Sequence, residues 1–134
     1  MSVPKDKRAN GELTINTFAR RICTHVLQIT ANEKNFPQGQ EWFLNRLRET
    51  ALGIDLNCWK ANNIYVTSEQ LYNKRLELEA EAGDACTDML ELINIAKGLY
   101  HMPSKRHRYL TDQYVELRKN IRNWYKSDRD RLKP

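Results

Sequence analysis

A chain of 134 residues, 40% hydrophobic and 9% aromatic, has the length of one domain and enough apolar side chains for a packed core. Its net charge of +5 is unevenly placed: residues 1–103 carry twelve Lys/Arg against thirteen Asp/Glu, whereas residues 104–134 carry ten against four. That asymmetry turns the search for a polyanionic or acidic partner to the C-terminal stretch, and the lack of any apolar run near 18 residues excludes a membrane-spanning helix.

Residues 1–13 show no apolar periodicity and are expected to form a flexible N-terminal tail, ahead of a helical domain over residues 14–130. The first helix is expected over residues 14–34, where Ile15, Phe18, Ile22, Val26 and Ile29 recur every three or four positions. His25 stands beside that stripe, with no second histidine or acidic partner at a helical spacing to complete a metal site. Asn35-Phe36-Pro37-Gln38-Gly39 breaks the helix, because proline disfavours helical geometry at the residue before it and glycine frees the backbone. Phe36 should pack down into the core beside this turn.

The second helix is expected over residues 38–62, with Phe43, Leu47, Ala51, Ile54 and Cys58 on one line and Leu44, Leu52, Leu56 and Trp59 alongside. So wide an apolar face calls for burial on more than one side, by two neighbouring helices or by another subunit. Thr67 and Gln70 have the spacing of a capping box, which opens a third helix over residues 68–101. Leu71, Leu78, Ala82, Ala85, Met89, Leu92/Ile93, Ala96 and Leu99/Tyr100 line its apolar side, and at 1.5 Å per residue it should reach about 50 Å. Its first half carries Glu77, Glu79, Glu81, Asp84, Asp88 and Glu91, read as a solvated or salt-bridging face because no Glu-x-x-His pair accompanies them. Gly98 offers a bend before Pro103. The fourth helix is expected over residues 104–129, with Ser104 as its N-cap and Leu110, Tyr114, Leu117, Ile121 and Trp124 as its buried stripe. Four amphipathic helices with short turns and no strand pattern predict an all-α, antiparallel up-down-up-down four-helix bundle.

Catalytic motifs are missing: there is no glycine-rich phosphate loop, no Ser/His/Asp set and no metal-ligand box. Cys23, Cys58 and Cys86 are odd in number and far apart, which suits small core residues in a reducing, cytoplasmic setting with neither disulfide nor cofactor. The chain is therefore read as non-catalytic. What remains is the fourth helix, where Arg108, Arg118, Lys119, Arg122, Lys126 and Arg129 fall within an arc of roughly 100° on a helical wheel, largely opposite the stripe. Arginine forks grip phosphate bidentately, so this arc is a candidate polyanion-binding face, salt-sensitive and weakly sequence-specific. Tyr109 and Tyr125 are candidate partner contacts, while Trp124 belongs to the core.

The segment Phe36-Pro37 followed by Trp42-Phe43-Leu44-x-x-Leu47-Arg48-x-x-Ala51-Leu52 resembles the four-helix bundle proteins first noticed in intervening sequences of ribosomal RNA genes. Leu71-x-x-x-Arg75, the Cys86 to Ile95 segment, Ala96-Lys97-Gly98-Leu99-Tyr100 leading to Ser104-Lys105-Arg106, and Ile121-Arg122-x-Trp124-x-x-Ser127-Asp128 resemble the accessory variability determinant (Avd) proteins of diversity-generating retroelements, over about residues 14–130. That resemblance implies a homopentamer of bundles that binds the retroelement's reverse transcriptase and its template RNA and supports mutagenic cDNA synthesis without being the polymerase. Carried onto this chain, it implies RNA and polymerase contacts at Arg118, Lys119, Arg122, Lys126 and Arg129, and beyond that helix at Arg20, Arg21, Arg46 and Arg48. The competing reading is an oligomeric protein-interaction module of the wider bundle family, with no nucleic-acid function.

Overall fold

The computed structural model describes residues 5–37 and 39–134, and they form four helices packed side by side. These are α1 (Lys5–Thr30), α2 (Glu41–Asn62), α3 (Glu69–Tyr100) and α4 (Ser104–Arg131). The described residues contain no strand. Each helix packs on its chain neighbour, and α1 closes the bundle against α4. The core runs up the middle through Ile22, Val26, Leu44, Ile54, Met89, Ile93, Leu117 and Ile121, all essentially fully buried. At about 1.5–3 kcal/mol for each large apolar side chain removed from water, this interior is the main favourable term holding the helices together.

Helix boundaries differ from the sequence expectation in instructive ways. Residues 1–4 lie outside the described residues, but from Lys5 onward the backbone is helical, so α1 reaches into the stretch expected to be a tail. No proline interrupts the chain between Lys5 and Thr30, and a helical ladder can run on through polar residues that lack a stripe. The helix also stops short of residue 34. The Asn32 side chain accepts from the Lys34 N–H at 2.9 Å, and the Asn32 backbone carbonyl accepts from the Phe36 N–H at 3.0 Å, building a turn where the helix would have continued. Phe36 is buried as expected, edge-on to Tyr100 with ring centroids 5.0 Å apart.

Residue 38 lies outside the described residues, and α2 begins only after Gly39 and Gln40, both in the left-handed region with φ of 116° and 56°. At the start of α3 the cap is Ser68 rather than Thr67: its hydroxyl accepts from the Leu71 N–H at 3.1 Å. Changing Ser68→Ala is expected to cost about 1 kcal/mol, the usual loss for an N-cap oxygen; urea denaturation should show it, whereas Thr67→Ala should be near neutral. At its other end α3 runs through Gly98 to Tyr100. His101 turns left-handed at φ 53°, and the Met102 N–H reaches back to the Lys97 carbonyl at 3.1 Å, closing the helix in a Schellman-type cap. Ser104 is the first residue of α4, not its cap; Pro103 precedes it with φ −59° and no side-chain capping bond.

Cys23, Cys58 and Cys86 are buried free thiols, one each on α1, α2 and α3. Burial pushes the Cys23 thiol up to about 11 and the Cys86 thiol up to about 12, so neither is a reactive thiolate near neutrality. The Tyr114 side chain is fully buried, and its hydroxyl finds no hydrogen-bond partner among the described residues. Changing Tyr114→Phe is therefore expected to leave stability unchanged or raise it by about 1 kcal/mol, since an unmet buried hydroxyl carries its desolvation cost without return. A thermal melt that falls by several degrees would show instead that the hydroxyl is satisfied.

Candidate nucleic-acid interface

Along α4 the apolar spacing of three and four continues from Leu110 through Tyr114, Leu117, Ile121 and Trp124, and all five are buried. The cationic residues between them are thereby turned outward. Arg108, Lys119, Arg122, Lys126 and Arg129 are exposed and Arg118 is half-buried. Lys119, Arg122 and Lys126 sit at spacings of three and four, one helical turn apart, and form the continuous outer row. Arg129 is turned to its neighbour, with Nε 3.2 Å from Asp130 Oδ1.

The arc is not set apart from the rest of the bundle, because its inner edge leans on α3. Arg118 donates to Thr87 Oγ1 at 3.1 Å, and Arg122 lines a small cleft together with Ala80, Gly83 and Asp84 of α3. Further along the same seam His107 Nε2 lies 2.8 Å from Asn94 Oδ1. The exposed acids Glu77, Glu81, Asp84, Asp88 and Glu91 thus flank the basic row on the α3 side. Like-sign repulsion makes that flank unfavourable to a polyanion and leaves the outer side of α4 as the favourable one.

Of Arg20, Arg21, Arg46 and Arg48, the contacts expected outside α4, Arg48 is turned into the bundle and the other three are exposed. Arg48 clamps the end of α1: its Nη2 donates to the Thr30 carbonyl at 2.8 Å and its Nε to Thr30 Oγ1 at 3.1 Å, with Glu41 3.6 Å from Nη1. A cation on the last carbonyls of a helix also complements its dipole. Arg20 lies over the Trp59 ring at 5.6 Å and Arg21 over Phe18 at 5.2 Å, both on exposed side chains, and Arg46 is exposed. Tyr109 is exposed and stands edge-on to the half-buried His25, centroids 5.4 Å apart, across the α1–α4 seam.

A buried polar cluster at the α3 N-terminal end was not anticipated. Glu79, expected on a solvated or salt-bridging acidic face, is 0% exposed, as is Asp128, and Arg75 is 7% exposed. Arg75 Nε lies 2.8 Å from Asp128 Oδ2 and 3.2 Å from Glu79 Oε2, and its Nη1 donates to the Ile64 carbonyl at 3.1 Å. Arg131 closes on the other Asp128 oxygen at 2.9 Å, and Tyr72 donates its hydroxyl to the Arg129 carbonyl at 2.6 Å. The Arg75 guanidinium also lies over the Trp124 ring, 5.5 Å from its centroid. Burial pushes the Glu79 carboxyl well above the usual carboxylate range, and its hydrogen bond to Asp128 adds to the rise. Glu79 therefore keeps its proton near neutrality. The signal was present in the sequence. Asp128 falls four residues beyond Trp124 on the apolar stripe, and Arg75 and Glu79 are an i, i+4 pair beside Leu78 and Ala82.

An open cavity of about 510 Å³ adjoins this cluster, lined by the α2–α3 loop and by Arg75, Arg131 and Leu132. Among the described residues no group of three His, Cys, Asp or Glu side chains is placed to hold a metal ion, and no helix is long and apolar enough to cross a membrane. No family model, curated protein or solved structure matches this chain. Its function must therefore be argued from its own residues and the resemblance they carry. On that ground the outer row of α4 is the surface with the most definite chemistry: closely spaced cations on a rigid helix, facing water.

Proposed function

We propose that this chain is a non-catalytic, cytoplasmic accessory subunit of a diversity-generating retroelement, which binds template RNA through α4 and joins a reverse transcriptase during mutagenic cDNA synthesis. The carrying observation is the exposed row Lys119, Arg122 and Lys126 on a helix whose other face is locked into the core. The resemblance to Avd proteins supplies the polymerase and the homopentamer. The apolar line Leu52, Leu56 and Trp59 on α2, 43%, 40% and 49% exposed, supports assembly, since subunit contact would cover it. Repetition of the α4 row in an oligomer would raise affinity for one long RNA through effective concentration.

The test is fluorescence anisotropy with a labelled single-stranded RNA at two salt concentrations. Affinity should fall as salt rises, with a slope of about −0.7 for each phosphate neutralised. Joint replacement of Lys119, Arg122 and Lys126 by Glu should weaken binding by on the order of 100-fold, as several phosphate contacts become repulsions. These side chains are exposed, so the helical circular dichroism should stay unchanged. Equal affinity of the triple variant would sink the reading. The exposed α2 line also favours a second reading, a protein-interaction oligomer without nucleic-acid function. That one predicts a multi-subunit mass in light scattering and no useful RNA affinity near physiological salt.

A further inference from the structure

The cleft between α3 and α4 has a volume of about 140 Å³ and is lined by Glu79, Ala80, Gly83, Asp84, Arg122 and Tyr125. It exists because α3 presents its smallest side chains where α4 crosses it. A Cβ added at Gly83 would lie 3.7 Å from Ile121 Cγ2 and 3.8 Å from Arg122 Cγ, so the missing atom is part of the open space. The half-buried Tyr125 forms one wall, and the exposed Arg122 and Asp84 stand at the mouth. At the back, burial keeps Glu79 protonated, so no negative charge repels a ligand from inside. The combination is an aromatic face, a guanidinium and a carboxylate around a space the size of one planar ring system.

We propose that this cleft holds a single unstacked base of single-stranded RNA, with Tyr125 as its stacking surface, Arg122 on its phosphate and Asp84 accepting from an exocyclic amine. The inference rests on the nucleic-acid reading above and deepens it. Lys119 and Lys126 lie three and four residues to either side of Arg122, where the neighbouring phosphates of such a strand would pass. The acidic flank of α3 keeps the strand on α4 and leaves Asp84 as the carboxylate nearest the base. Stacking on tyrosine tolerates any base because every base has a π face. A carboxylate discriminates further: it accepts from the 4-amino group of cytosine and meets only an acceptor at the same position of uracil.

The experiment compares three end-labelled octamers by anisotropy with the intact protein: oligocytidine, oligouridine and an abasic ribose-phosphate chain. Oligocytidine should bind roughly tenfold more tightly than the abasic chain, the usual worth of one stacked base, with oligouridine between them. Tyr125→Leu, which keeps apolar bulk in the wall, should bring oligocytidine down to the abasic level and leave abasic binding unchanged. Asp84→Asn, whose amide can both donate and accept, should erase the preference for cytidine over uridine. Equal binding of all three octamers by the native protein overturns the base slot while leaving phosphate binding intact. So does a Tyr125→Leu variant that weakens all three alike. Failure of every octamer to bind at low salt overturns the nucleic-acid reading, and the slot with it.

Discussion

Truncating Arg75 to alanine should lower the stability of the bundle by about 3–5 kcal/mol, the loss expected when one partner of a buried ion pair is removed. The reason lies in what is left behind. Asp128, with no exposed surface, would lose its 2.8 Å contact with Nε and keep Arg131 at 2.9 Å as its one cationic partner, and the Ile64 carbonyl would lose its donor. The Trp124 ring would lose the guanidinium 5.5 Å above it, and a void would open beside it. Denaturant unfolding followed by circular dichroism reads the loss directly, with an unchanged m-value showing that the denatured state is not the cause. A change below about 1 kcal/mol would mean that water reaches the cluster, because exposed ion pairs are worth only that much. Joint replacement of Arg75, Glu79 and Asp128 by apolar residues of similar volume should be far milder than the single truncation, since no charge is then stranded.

Stability should also decline as pH rises from mildly acid to alkaline, and Glu79 should be responsible. Its folded-state carboxyl titrates well above the usual range, so between the unfolded and the folded value the native state holds one more proton than the unfolded chain. Stability then falls with pH across that window, by up to about 1.4 kcal/mol per pH unit for one proton. The contribution is fully present below the unfolded carboxylate value and is lost as pH climbs through the folded one. Glu79→Gln mimics the protonated acid, its amide donating toward Asp128 and its oxygen accepting from Arg75. The variant should match the native protein near pH 5, about where an unfolded Glu titrates, and exceed it in mildly alkaline buffer, so that the two stability curves diverge with rising pH. Parallel curves would show that the proton resides elsewhere.

The helices were legible because their apolar residues repeat at three and four, and the pattern holds wherever one face must leave water. Ile15 to Val26, Phe43 to Cys58, most of Leu78 to Ala96 and Leu110 to Trp124 fall inside as that spacing requires, whereas Leu71 and Leu99, expected on the α3 stripe, stay exposed toward the two ends of that helix. Ends were less legible, since they depend on single hydrogen bonds. Ser68 instead of Thr67 caps α3, a choice that sequence leaves nearly equal, and a left-handed turn at His101 closes it. On α2 the spacing placed Leu52, Leu56 and Trp59 beside the buried line, yet within one chain they remain exposed. The outward turn of the basic residues on α4 was likewise readable from the wheel.

Neighbourhoods were not readable. The sequence by itself determined four amphipathic helices, their order, and a cationic row opposite the stripe of the last one, all consequences of local periodicity and charge. Only the tertiary structure decided that the inner edge of this row lies against α3, that Arg48 is spent on the end of α1, and that Tyr125 and Arg122 share a cleft with Asp84. It alone brought Glu79 and Asp128 to one guanidinium. Glu79 and Asp128 are far apart in the chain, and no periodicity within one helix encodes which residue of another will face it. That pairing is set by the antiparallel packing of α3 on α4, where burial pushes the Glu79 carboxyl above the usual carboxylate range.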